Sequence, residues 1–188
     1  MTWEWLKSET LKLLQEYMDN MPDLTDDEDI INNMIPATNK ILNELARAKK
    51  IEAYQEINVE DGQMVDLKTL PNYYQLKTIR FEPSEEDEFY CGTIFEAVGN
   101  FVKFKQKGVA TIYYYKYPTV IDEDTDDEFQ LELDQDALNI APTGIAGTIL
   151  MTDISNQYGA VFLNNYEQML QRLDSRTSDT VVQIKGGI

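Results

Sequence analysis

The hydrophobic period of this chain changes twice along its length, and that change constrains the fold more than any other feature. Near the N-terminus apolar residues recur at Trp3, Leu6, Leu13, Leu14, Tyr17 and Met21, in steps of three and four. Thr10 fills the turn between Leu6 and Leu13, a polar but methyl-bearing gap. This spacing draws one apolar face on a helix. Thr2 stands where a capping side chain belongs, with Glu4 in the first turn. Met21–Pro22–Asp23 ends the helix, and Thr25 opens a second, with a stripe of Ile30/Ile31, Met34, Ile41/Leu42, Leu45 and Ala48. Pro36 falls inside that stripe and predicts a kink or a break, because proline removes a helical hydrogen bond and crowds the preceding turn.

From about Ile51 the pattern becomes strand-like: Ala53–Val59, Met64–Leu67 and Tyr74–Phe81 are short and rich in β-branched or aromatic residues. The stretch Phe101–Gly108 followed by Val109–Tyr117 sets two strand-like runs about a Gln106–Lys107–Gly108 turn and predicts a β-hairpin. Phe89–Val98 reads as another strand, joined to the first run by a Gly99–Asn100 turn. Cys91 reads as a small buried strand residue in a reducing compartment. Pro118 closes the sheet region.

The helical period then returns. Asp134 or Asp136 caps a third helix carrying Ala137, Leu138, Ala141, Ile145, Ile149 and Leu150 on one side, with Pro142 in its first turns. Gly144 and Gly147 are poor helix formers, so their place here predicts close approach by another helix. A fourth helix follows Ser155–Asn156, with Val161/Phe162, Tyr166, Met169/Leu170 and Leu173 on its stripe. The expected architecture is α+β: a four-helix bundle-like core with an inserted antiparallel β-rich domain and an extended C-terminal arm. Its parts are residues 1–50 (N-terminal helices), 51–133 (β-rich insertion), 134–174 (C-terminal helix pair) and 175–188 (arm).

Composition narrows the chemistry. There is no histidine and one cysteine, which leaves no Ser–His–Asp triad, imidazole zinc site, intramolecular disulfide or iron–sulfur cluster. No phosphate-binding glycine loop and no nucleophile-elbow serine occurs. The chain reads as no enzyme, with no cofactor, catalytic residue or metal ligand. The N-terminus lacks an apolar signal core, and no stretch approaches the length of a transmembrane span.

The net charge of −18 is concentrated in three segments, Asp19–Asp29, Glu82–Glu88 and Asp122–Asp136, which hold 20 of the 34 acids and no base. One reading makes them solvated loops; the other lines a shared acidic channel or rim in an assembly, through Asp26, Asp27, Glu85, Glu86, Asp122, Glu123, Asp124, Asp126 and Asp127. An EF-hand starting at Asp122 needs glycine at 127 and glutamate at 133, where the chain has Asp127 and Leu133. Lys103, Lys105 and Lys107 share one strand face, with Lys116 expected close by on the partner strand. They form either a solvated face or a basic strip that meets an acidic patch on a neighbouring subunit. Trp3 and Trp5 are helix-packing residues or interface anchors. Val181, Val182 and Ile184 lie in a tail that either frays or adds a strand to an adjacent chain.

The stretch from Asp136 to Asp153, DALNIAPTGIAGTILMTD, followed by Tyr158 to Leu173, YGAVFLNNYEQMLQRL, resembles the C-terminal helix pair of tailed-bacteriophage head–tail connector (adaptor) proteins. Tyr115–Lys116–Tyr117–Pro118, the acidic loop and Leu131–Asp134 resemble the lead-in to that pair. The resemblance implies a structural virion protein of the neck or tail region, made in the host cytoplasm and not membrane-bound. Copies, twelve by the family's pattern, form a ring that binds portal protein and tail or neck proteins. Double-stranded DNA passes through the ring without specific binding. Three other readings stay open: a tail-completion or tail accessory protein, an acidic DNA-mimic inhibitor, and a calcium-dependent binding module.

Overall fold

A computed structural model describes residues 1–17, 28–84, 94–152 and 158–175. The chain mixes helices with antiparallel sheets. It divides into a helical unit, Met1–Lys49 with Val120–Ile188, and a sheet unit, Lys50–Thr119. The segment 120–133, expected with the sheet, goes with the helices.

The helical unit holds α1 (Trp3–Tyr17), α2 (Glu28–Ala48), α3 (Gln135–Leu138), α4 (Ala141–Leu150) and α5 (Tyr158–Ser175). Thr2 caps α1, its Oγ1 accepting from the Trp5 N–H at 3.2 Å. Trp3, Leu6, Thr10 and Leu14 are buried along one stripe. The Thr10 hydroxyl donates to the Leu6 carbonyl at 2.8 Å, so the polar gap is satisfied within its own helix. In α2, Ile30, Met34, Ala37, Ile41, Leu42 and Leu45 are buried while Pro36 is exposed. Of the kink or break expected at Pro36, the break does not occur, and α2 runs through it. Both halves bury the same stripe, which outweighs the proline's cost of about 3 kcal/mol.

The third helix is two. Asp134 caps α3, its Oδ1 accepting from the Ala137 N–H at 2.8 Å. The helix stops at Asn139–Ile140, and α4 begins with Pro142 in its first turn. Pro142 has no N–H to continue the ladder from α3 and suits a helix start instead. Helix α4 is buried nearly all round and packs against α1, α2 and α5. Its glycines make that possible. A Cβ on Gly144 would lie 2.8 Å from the Tyr166 ring and 2.9 Å from Ile41 Cδ1. One on Gly147 would lie 3.0 Å from the Leu163 backbone nitrogen. The close approach expected at both positions is present.

The sheet unit holds β1 (Ile51–Val59), β2 (Met64–Asp66), β3 (Tyr73–Pro83), β4 (Phe95–Val98), β5 (Phe101–Phe104) and β6 (Gly108–Lys116). They form two antiparallel sheets, in the orders β1-β6-β3 and β2-β5-β4. The anticipated hairpin of β5 with β6 is absent, because the two strands lie in different sheets. Val102 and Phe104 from one sheet share a core with Ala110, Ile112 and Tyr114 from the other. The chain crosses at residues 105–107 so that one run of alternating apolar residues feeds both inner faces. The ring of Phe104 sits 6.0 Å from Phe81 and 6.1 Å from Phe95. Gly108 is there for space rather than for a hairpin turn: a Cβ would come 2.3 Å from the Glu82 carbonyl oxygen. The expected Gly99–Asn100 turn is present and pairs β4 with β5 as a hairpin, with Gly99 at φ +61°.

Candidate interaction surfaces

Six acids, Asp122, Glu123, Asp124, Asp126, Asp127 and Glu128, are exposed on a loop anchored at both ends. At its start, the Asn39 side chain clamps the buried Ile121 backbone. Its Nδ2 donates to the Ile121 carbonyl at 2.7 Å, and its Oδ1 accepts from the Ile121 N–H at 2.9 Å. At its end, the Trp3 N–H donates to the Phe129 carbonyl and the Glu4 N–H to the Asp127 carbonyl, each at 3.0 Å. These bonds use two first-turn donors of α1 that have no partner within the helix. Leu131 N–H donates to the Met1 carbonyl at 3.0 Å, and Thr2 bridges Gln130.

Inside the loop the carboxylates serve the backbone. Asp122 Oδ1 accepts from the Asp124 N–H at 3.2 Å and the Thr125 hydroxyl at 2.7 Å. Asp126 Oδ1 accepts from the Glu128 N–H at 2.8 Å. These are Asx turns, which aim the acids outward rather than at one point. Among the described residues no group of three or more His, Cys, Asp or Glu side chains is placed to hold a metal ion. Lys7 pairs with Asp127. Beside the loop, α1 and α2 border an open groove of about 780 Å³ lined by Trp3, Lys7, Leu11, Met34, Asp122 and Asp127.

The sequence-predicted interface residues fare differently. Trp3, read as a helix-packing residue or an interface anchor, is buried within its own chain at 4 % exposure, as a packing residue is. Its indole stacks under Lys7 Nζ, 5.3 Å from the ring centroid. Trp5 is half-buried. Lys103 is exposed on β5, and burial alternates through Lys105 and Lys107 although the strand ends at Phe104. The strip is largely compensated, with Lys105 3.3 Å from Glu96 and Lys107 3.5 Å from Glu60. Lys116 is not near them. It pairs with Ile51 and Tyr73 at the far end of β6, about 25 Å from Gly108 at a rise of roughly 3.3 Å per residue. Asp26, Asp27, Glu85, Glu86, Cys91, Val181, Val182 and Ile184 lie outside the described residues.

Two features escaped the sequence reading. The outer face of β1-β6-β3 stacks cations on tyrosines: Lys50 lies 4.8 Å from the Tyr115 ring centroid and Arg80 6.0 Å from that of Tyr113. Lys77 bonds Glu52 at 2.5 Å, and this hydrogen bond, aided by the Glu52 charge, raises its pKa against slight desolvation. The alternating Tyr113–Tyr115 run gave the face but not its partners. In the helical unit, Tyr166 reaches from α5 to Glu44 on α2, its hydroxyl donating to Oε2 at 3.4 Å. Burial first, then the Glu44 charge, pushes the Tyr166 pKa up.

Among the described residues, no helix is long and apolar enough to cross a membrane. No family model matches the chain, and no curated protein matches it.

Proposed function

We propose that this chain is a structural, non-enzymatic subunit of a tailed-bacteriophage neck, and that copies close into a ring joining the portal to the tail. In this reading α1, α2, α4 and α5 form the bundle-like platform, and residues 175–188 are an arm that docks on a neighbour. The acidic loop faces the bore or its rim. The observation that carries the reading is the anchored ridge Asp122–Glu128, which presents six exposed acids with a base, Lys7, at one of them. Duplex DNA carries about one negative charge per 1.7 Å. A ridge pinned by backbone bonds holds a steady repulsive field against it, so the genome slides without sticking. The likeness of Asp136–Asp153 and Tyr158–Leu173 to the connector helix pair, and of Tyr115–Asp134 to its lead-in, supports the same reading.

The test is negative-stain imaging and native mass spectrometry of the chain mixed with purified portal. Closed rings on the portal are the expected result. A small species that ignores portal sinks the proposal, and rings that dock only on tail tubes move it to the tail-completion reading.

A further inference from the structure

Among the described residues, β1, β3, β2 and β4 are the edge strands of the two sheets. Three of these edges are blunted. β2 and β4 have three and four residues, too short to seat a partner strand. β3 has eleven, but its pairing with β6 shifts register between Tyr73 and Gln75 and again between Leu76 and Thr78, and it ends on Pro83. Bulges and proline keep an edge from pairing further. β1 has neither. Its nine residues run in unbroken register with β6, from Ile51 opposite Lys116 to Val59 opposite Gly108. Among the described residues no backbone group pairs with its other side. Both rows of β1 side chains are open there too. On the core side Ala53 and Ile57 are only half-buried at the margin of the cluster around Phe104, and Gln55 between them is exposed. On the outer side Tyr54 is 71 % exposed, more than any other large apolar side chain described. Its neighbours in that row are Glu52 and Glu56. Lys77 answers Glu52. Arg80, in the row of Glu56 but beyond β6, lies over the Tyr113 ring, and among the described residues no ion pair reaches Glu56.

A strand that fits beside β1 brings apolar side chains to the core row and a base, with no acid, to the outer row. A second β1 does not fit, because it sets Glu52 and Glu56 near their own kind and carries no base. A second β3 brings Lys77 and Arg80, but its bulges break the straight ladder that β1 offers. Of the stretches outside the described residues, 18–27, 85–93, 153–157 and 176–188, only the last contains a base. Within it Thr180–Lys185, TVVQIK, has no acid and is β-branched at Thr180, Val181, Val182 and Ile184. In an extended chain Val182 and Ile184 share one face, and Gln183 and Lys185 share the other. Six residues cover about 20 Å of the roughly 30 Å of β1, and Arg176–Asp179 leave about 13 Å of link after α5 ends at Ser175. We infer that Thr180–Lys185 of one copy adds as a strand to the free edge of β1 in a second copy. Val182 and Ile184 extend the Ala53–Gln55–Ile57 row, and Lys185 joins the row of Tyr54 and Glu56. Main-chain hydrogen bonds supply the affinity and the alternate side chains the register. This deepens the connector reading by placing its docking arm, and it rests on that reading for the second copy. Each copy gives one arm and receives one, a heterologous contact that builds rings.

The experiment is hydrogen–deuterium exchange with sedimentation velocity on the wild-type full chain, on the double variant Val182→Pro/Gln183→Pro, and on Ile184→Asp as a second substitution. Alternate N–H groups of a strand face its partner, so adjacent prolines remove whichever one β1 would receive. Far-UV circular dichroism confirms that each variant is folded. The wild type self-associates, and protection of its β1 amides rises with protein concentration. In the variants association falls and β1 exchanges at least about tenfold faster, with β6 unchanged. A synthetic peptide of residues 176–188, added to the proline variant, restores β1 protection without restoring assembly. Equal β1 exchange in wild type and variants overturns the inference. Protection gained on β3 instead of β1 overturns it as well. So does β1 protection that is independent of concentration in a monomer, which puts the arm on its own copy. Portal imaging separates this contact from the broader reading. Rings of the proline variant on portal, with β1 exchange equal to wild type, remove the contact and leave the connector. Arm-dependent β1 protection with no wild-type portal binding leaves the contact and removes the connector.

Discussion

In the sheet unit Lys77 meets Glu52 across the intervening β6, and Lys105 and Lys107 meet Glu96 and Glu60 from neighbouring strands or turns. In the helical unit five of the six carboxylates between Asp122 and Glu128 meet no base among the described residues, and Lys7 answers the sixth. One half of the protein spreads and compensates its charge, while the other gathers it on a loop fixed by backbone hydrogen bonds. The cores differ in the same spirit. Aromatic rings from two layers fill the sheet unit around Phe104, whereas the helical unit closes on bare glycine surfaces of α4. A net charge of −18 is therefore a property of one region rather than an average over the surface.

The largest expected effects test the two cores against each other. Phe104→Ala removes the ring shared by both sheets and is expected to cost about 3–5 kcal/mol. Gly144→Val drives two methyls into Tyr166 and Ile41 and is expected to cost about 3 kcal/mol. Both tryptophans are in the helical unit and eight of the eleven tyrosines are in the sheet unit, so fluorescence reads the units apart. Phe104→Ala should move the tyrosine-detected transition first, and Gly144→Val the tryptophan-detected one. Equal shifts of both signals in either variant would break the comparison.

A smaller effect sharpens the account of the ridge. Asn39→Ala leaves the buried Ile121 N–H and carbonyl without their partner, at a cost of about 2 kcal/mol. Faster hydrogen exchange at Ile121, with β6 unchanged, is the expected readout. Unchanged exchange at Ile121 would mean that the loop does not depend on the clamp.

The smallest effect at neutral pH depends on pH. Tyr166→Phe loses one long hydrogen bond, worth under about 1 kcal/mol. The folded-state pKa of Tyr166 lies above its ordinary value of 10.0. Above pH 10 the unfolded chain gives up this proton while the folded chain keeps it, so wild-type stability falls as pH rises. Tyr166→Phe should flatten that alkaline loss and narrow or reverse the gap to wild type. Parallel denaturant curves at pH 7 and pH 10.5 check it; an identical alkaline slope in both proteins would show that the proton is not retained.

Several features were legible because their causes are local. Thr2 and Asp134 cap helices, Gly99 turns β4 into β5, and Gly144 and Gly147 mark a crowded helix surface. The Pro142 break between α3 and α4 was written in the sequence too, but the continuous stripe across it hid the stop. The ridge acids were visible as a charge run. Their anchoring was not, because Asn39 lies 82 residues from Ile121 and its amide carries no mark of its partner. Trp3 read as a packing residue with an anchor role left open, and its burial beside the loop and α1 favours packing.

By itself the sequence determined the order of helices, strands and helices, the capped ends, the apolar faces and where the acids gather, since period, cap and charge run are properties of neighbouring residues. Tertiary structure alone decided that β6 is the middle strand between β1 and β3, that β5 belongs to the other sheet, and that segment 120–133 is tied to α1 and α2. An alternating strand offers the same apolar face to any partner. Only the requirement that both layers fill one core around Phe104 and Ile112 selects among them.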